Sequence, residues 1–141
     1  MTIKREIINE LKKHPYVDDH ETGGILGGND DCIMYVVYDD GIKTHRRCAY
    51  YPNVKHINEA IERWEELGID FYGLFHTHKG GIELSEEDIC YINRIVKLMP
   101  PRVKRLMFPV INVYDQNIAF YLANRIDEYV DICEFSIEIV D

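Results

Sequence analysis

"GLFHTHKGGIELSEED", residues 73 to 88, places two histidines at the end of an apolar run, then paired glycines, then a serine followed by acids. The run starts at "DFYGLFHTH", whose nearly continuous apolar residues are the pattern of a central strand buried on both faces. Residues i and i+2 of a strand project from one face, so His76 and His78 converge while Thr77 turns away. Beyond "KGGIEL" the chain enters a helix with Ser85 as N-cap, and the first turn of that helix brings Asp88 back over the strand end. Two imidazole nitrogens and a carboxylate oxygen, with a fourth tetrahedral position left to water, form the donor set of a catalytic zinc site. On spacing alone a second reading stands beside this one: two separate polar side chains at a strand end, and an ordinary capping box between Ser85 and Asp88.

Working outward, Asn53 caps a helix with the apolar face Val54, Ile57, Ile61, Trp64 and Leu67, and Gly68 suits its exit. "GGILGG" and "CIMYVVY", separated by "NDD", have the pattern of a hairpin. Ile3, Ile7, Ile8 and Leu11 at helical spacing predict an amphipathic helix over residues 3 to 13, stopped by Pro15. After Ser85, Ile89, Ile92, Ile95 and Met99 are expected to point inward, with Pro100-Pro101 as terminator. "LMFPVINVY", the turn "DQN" and "IAFYLAN" predict a second hairpin. "CEFSIEIV" predicts one half-exposed closing strand with Phe135, Ile137 and Ile139 inward. No repeat, low-complexity tract or flexible linker divides residues 1–141, so the chain reads as a single α/β (α+β) domain, a mixed β-sheet flanked by about three helices.

Composition narrows the function. With 46% hydrophobic and 29% charged residues the chain is that of a soluble globular protein. A net charge of -9 repels a phosphate backbone, which argues against nucleic acid as a partner; the short basic clusters "KTHRRC" and "PPRVKR" read as solvated turns. No apolar stretch approaches the ~20 residues of a membrane span, and "MTIKREIINELKK" has no signal-like apolar core, so a cytoplasmic protein is expected. Cys32, Cys48, Cys90 and Cys133 form no C-x-x-C pair and read as reduced thiols, with Cys90 in the core.

A hydrolytic zinc site also needs a base over its open position, and Glu21 in "HETGGILGG" is the candidate. It precedes a strand whose paired glycines permit close backbone approach. His20 adjoins it and is expected to be solvated.

Taken together, Glu followed by "TGGILGG", a histidine dyad at a strand end and a Ser-x-x-Asp helix start resemble the JAMM (MPN+, JAB) zinc metalloprotease family over nearly the whole chain. The resemblance implies a JAMM/MPN, cytidine-deaminase-like architecture and Zn2+ ligated by His76, His78 and Asp88. It implies Glu21 as general base and later general acid to a metal-activated water, and Ser85 as hydrogen-bond donor to the developing oxyanion. The implied reaction is hydrolysis of a peptide or isopeptide bond after the C-terminal Gly-Gly of a ubiquitin-like protein or sulfur carrier, by a minimal prokaryotic-type enzyme. The tail is expected to lie along an exposed strand edge, and relatives often pair with a copy, which implies a homodimer as one assembly. Two features depart from the family pattern: Lys79 stands where most members have proline, and six residues rather than seven separate His78 from Ser85. Two other readings follow from relatives, a non-catalytic MPN-type interaction scaffold and a RadC-like DNA-repair protein. The retained ligand set opposes the first and the acidic balance the second.

Overall fold

The computed structural model describes residues 1–13, 21–42 and 50–141. Pro15, His20, Cys48 and the basic stretch at 43–48 lie outside the described residues. The chain runs β1 (Thr2–Lys4), α1 (Arg5–Lys12), β2 (Gly23–Asn29), β3 (Cys32–Asp39), α2 (Val54–Leu67), β4 (Asp70–His78), α3 (Glu86–Leu98), β5 (Arg105–Asn112), β6 (Ile118–Ile126), β7 (Tyr129–Phe135) and β8 (Glu138–Val140). The strands form one mixed sheet in the order β7-β6-β5-β4-β2-β3-β1-β8. The expected α+β class is what the chain adopts, a mixed sheet with three helices among the described residues.

Strand parity divides the core. Leu26, Phe75, Met107 and Leu122 face α1, where Ile7, Ile8 and Leu11 meet them. Ile25, Leu74, Phe108 and Ala123 face the other way, against Ile57 and Trp64 of α2 and Ile92 and Val96 of α3. Because β4 alternates, His76 and His78 share the face of Leu74, beneath α2 and α3, and Thr77 shares that of Phe75.

Both hairpins form as expected, β2–β3 around Asp30 and Asp31, each at positive φ, and β5–β6. Asn53 accepts the His56 amide as N-cap of α2, and Gly68 ends that helix in the left-handed conformation.

Four expectations need correction. Ile3 is a strand residue: β1 pairs in parallel with both β3 and β8, aligning Ile3 with Ile33 and Ile139, so the helix starts at Arg5, because sheet pairing overrides a local helical period. The closing strand is two strands. β7 pairs with β6 and β8 with β1, at opposite edges of the sheet, with Ser136 and Ile137 the only residues between them. Two linking residues span roughly 10 Å, so the sheet curls until its edges approach, wrapping its concave face around α1; Phe135 and Ile137 pack there and Ile139 is 41% exposed. On α2 and α3, Val54, Leu67 and Ile89 are exposed and Val96 is buried instead. Cys90 is exposed, not core. Among the described residues, no helix is long and apolar enough to cross a membrane.

Candidate metal centre

The end of β4 is held against the start of β2 by a pair of threonines. The Thr77 amide donates to the Thr22 carbonyl at 2.8 Å, and the Thr22 amide donates to Thr77 Oγ1 at 2.9 Å. Gly23 is aligned with His76 across this antiparallel pair, so continuing the register by two residues sets Glu21 opposite His78 and on the same face. An acid fifty-odd positions upstream thereby reaches the histidines through strand pairing alone.

From the other side comes α3. Ser85 Oγ accepts the Asp88 amide at 3.1 Å, and Asp88 Oδ2 accepts the Ser85 amide at 2.9 Å, a reciprocal capping box. The box orients Asp88: its Oδ1 lies 3.2 Å from His76 Nε2 and its Oδ2 3.1 Å from His78 Nε2. The two Nε2 atoms are 2.9 Å apart. Of the second reading left open by the spacing, the capping box is there and is what aims the carboxylate at the dyad, but the two histidines are not separate side chains.

Donors about 2.0–2.2 Å from a tetrahedral ion stand roughly 3.3–3.5 Å from one another. The triangle His76, His78, Asp88 is within a few tenths of an ångström of that spacing, so a divalent ion fits with slight expansion. Glu21, His76 and His78 also form a wider set, with ligand atoms all within 4.8 Å of one another. The Asp88 set is the tighter of the two, with Glu21 beside it.

Electrostatics favour a cation here. Burial raises the pKa of Glu21, 5% exposed, to about 7, with help from the charges of Asp88 and Glu87 and against His78 and Lys79. Burial also disfavours a charged Asp88, but hydrogen bonds from His76, His78 and the Ser85 amide hold its carboxyl below the usual carboxylate range. Burial opposes a protonated His78, but the hydrogen bond to Asp88 and the charges of Glu21 and Asp88 outweigh it and raise the pKa.

Two cavities meet at this point. A groove of about 940 Å³ between α2 and α3 reaches His76, Ser85 and Asp88 over an apolar floor that includes Ile57, Ile61 and Leu74. A cleft of about 550 Å³ is lined by Glu21, His78 and residues 79–85. The six-residue loop from Lys79 to Leu84 turns on Gly80 and Gly81, at φ 111° and 76°, and Tyr121 Oη donates to the Ile82 carbonyl at 2.7 Å.

All five residues singled out in the sequence, Glu21, His76, His78, Ser85 and Asp88, thus gather at one end of β4. Sequence reasoning missed Asp39 and gave Tyr50 no place at the centre. Asp39 is a buried acid at a strand end, but its burial and its contacts with Tyr50 and Asn53 become visible only in the fold.

No protein-family model and no curated protein matches the sequence. Solved structures do match. Protein DSY2949 from Desulfitobacterium hafniense, known from its solution structure, gives a TM-score of 0.71 at 18% identity, covering 99% of this chain and 92% of that one. AF2198, a JAB1/MPN domain protein from Archaeoglobus fulgidus, gives 0.55 at 19% identity, covering 99% and 97%. At such identities the likeness is one of fold: the chain has the fold of a JAB1/MPN domain protein and carries a candidate metal site.

Proposed function

We infer that this protein is a zinc-dependent metallopeptidase or isopeptidase that hydrolyses the bond after the C-terminal Gly-Gly of a ubiquitin-like protein or sulfur carrier. The observation that carries the reading is the convergence of His76, His78 and Asp88 within 3.2 Å of one another, with a buried acid, Glu21, beside them, whose carboxyl is pushed up to about 7 by burial. His76, His78 and Asp88 would hold the ion. When bound, it would supply Lewis acidity, polarising the scissile carbonyl and acidifying water.

The chain's own groups do the rest. A carboxylate that titrates near neutrality can take the proton of the attacking water at an oxygen of Glu21 and return it to the leaving amine nitrogen. Ser85 Oγ accepts the Asp88 amide, which leaves its own O–H to donate to the oxygen that becomes negative. Both edges of β4 are paired, with β2 and β5, so an extended tail reaches the centre through the cavities and not by adding to this strand.

The test is mass-resolved cleavage of a panel of ubiquitin-like C-terminal fusions by the zinc-loaded wild type and Glu21→Gln. Wild type is expected to release the tail, and Glu21→Gln to keep zinc while losing about 10²–10⁴-fold in turnover, the usual weight of general base catalysis. A wild type that takes up no stoichiometric zinc, or that cleaves nothing once loaded, sinks the reading; in the second case an interaction scaffold becomes the better description.

A further inference from the structure

Gly23 is aligned with His76 across β2 and β4. A cross-strand neighbour would normally place its side chain against the imidazole, but here there is none, and the ring of Tyr50 fills the space. A Cβ at Gly23 would stand 2.8 Å from Tyr50 Cε2 and Cζ, and 2.3 Å from the Phe75 carbonyl oxygen. The Tyr50 ring lies parallel to that of His76, with an angle of 7° between planes and centroids 6.2 Å apart, the separation of an offset stack.

The tyrosine is itself anchored. Its hydroxyl donates to Asp39 Oδ2 at 2.7 Å, and the amide of Asn53, the α2 N-cap, donates to the same oxygen at 3.0 Å. Asp39 is 4% exposed. Burial and the neighbouring Asp39 push the Tyr50 phenol well above its ordinary pKa, so it stays a donor. One buried carboxylate thus ties the end of β3, the start of α2 and the tyrosine that flanks His76.

We propose that Tyr50, anchored by Asp39 in the space left by Gly23, is a positioning residue that sets the plane of the His76 imidazole for metal binding. The terminal torsion of a histidine is broad, and a rotation of the ring about it moves Nε2 away from the point it shares with His78 and Asp88. Residues that orient a ligating imidazole typically contribute about 10–100-fold to metal affinity. The proposal rests on the metal reading of the site given above.

Zinc affinity by competition with a chromophoric chelator, and the visible spectrum of the Co2+-loaded protein, test it without reference to turnover. Tyr50→Phe keeps the ring and loses the anchor, and Asp39→Asn weakens the acceptor; each is expected to lower zinc affinity about tenfold and to shift the Co2+ bands. Tyr50→Ala, where it folds by circular dichroism, is expected to lose up to about 100-fold. A purely structural role would lower melting temperature and leave the Co2+ spectrum of the folded fraction alone. Should Tyr50→Phe match wild type in both affinity and spectrum, the proposal is overturned, whatever Tyr50→Ala does. Should wild type itself take up no metal, it is the reading of the site as a metal centre that falls.

Discussion

A carboxyl that titrates at 4.5 in an unfolded chain and at about 7 when folded ties activity and stability to the same residue. For catalysis the proton must be absent from Glu21 at the outset, so kcat/KM of the zinc-loaded protein is expected to fall with decreasing pH on a limb below about 7. A bound dication stabilises the charged carboxylate and moves that limb lower. For stability the sign is opposite to that of an ion-paired acid. Between pH 4.5 and 7 the folded, metal-free chain holds a proton that the unfolded chain has released, so stability falls as pH rises across that window and stays reduced above it. Glu21→Gln removes the penalty. In chelator at pH 8 the variant is expected to be more stable than wild type by about 1–3 kcal/mol, and the two should converge near pH 4.5, as urea unfolding at both values would measure. A difference that persists at pH 4.5 would assign the effect to packing instead of charge.

At the scale of the element, α3 shows how one local device serves two ends. The capping box stabilises the helix start and also aims Asp88, through the Ser85 amide. Ser85→Ala removes the hydroxyl but leaves the amide, so thermal unfolding should report a loss of about 1 kcal/mol while zinc affinity stays within a few-fold of wild type; turnover, where the hydroxyl is the oxyanion donor, should drop further. A zinc affinity that collapsed with the cap would mean the hydroxyl, not the amide, orients Asp88. This element was legible in the sequence because everything it needs is local: Ser85, Asp88 and the terminating prolines lie within one segment. The dyad was legible for the same reason, since strand parity puts His76 and His78 on one face. Glu21 was legible as a candidate base, from the needs of such a site and from the resemblance, but its placement was not, because what brings it to His78 is the pairing of β2 with β4, and the threonine clamp at Thr22 and Thr77 has no local pattern. Asp39 and Tyr50 were missed for a related reason: their contacts connect a strand end, a loop and a helix cap. Ile3 was misassigned because sheet pairing overrides a local helical period, and Ile89 because periodicity reports only which residues share a face while packing decides which of them are buried.

Across the whole molecule, the candidate metal centre and the closing strand stand apart. The centre draws on β2, β4 and α3, in the middle of the sheet order, while β8 lies at the far edge, three residues long and paired only with β1. That edge nevertheless closes the concave face: Lys4 Nζ donates to the Asp141 carbonyl at 2.9 Å, Arg5 Nε pairs with Asp141 Oδ1 at 2.6 Å, and Ile137 packs on the α1 cluster. Both contacts are exposed and contribute little by themselves, so the hold on β1 and α1 must come from strand pairing and from Ile137. Ending the chain after Phe135 removes all three and leaves β1 with β3 as its one strand partner among the described residues. Because cooperative units open separately, amide hydrogen exchange of residues 2–12 is expected to accelerate tenfold or more, with protection of β4 and β5 and stoichiometric zinc uptake retained. If zinc uptake disappeared together with α1 protection, the curled edge and the centre would be one cooperative unit, and the parity that separates the two faces of the sheet would not describe how the molecule comes apart.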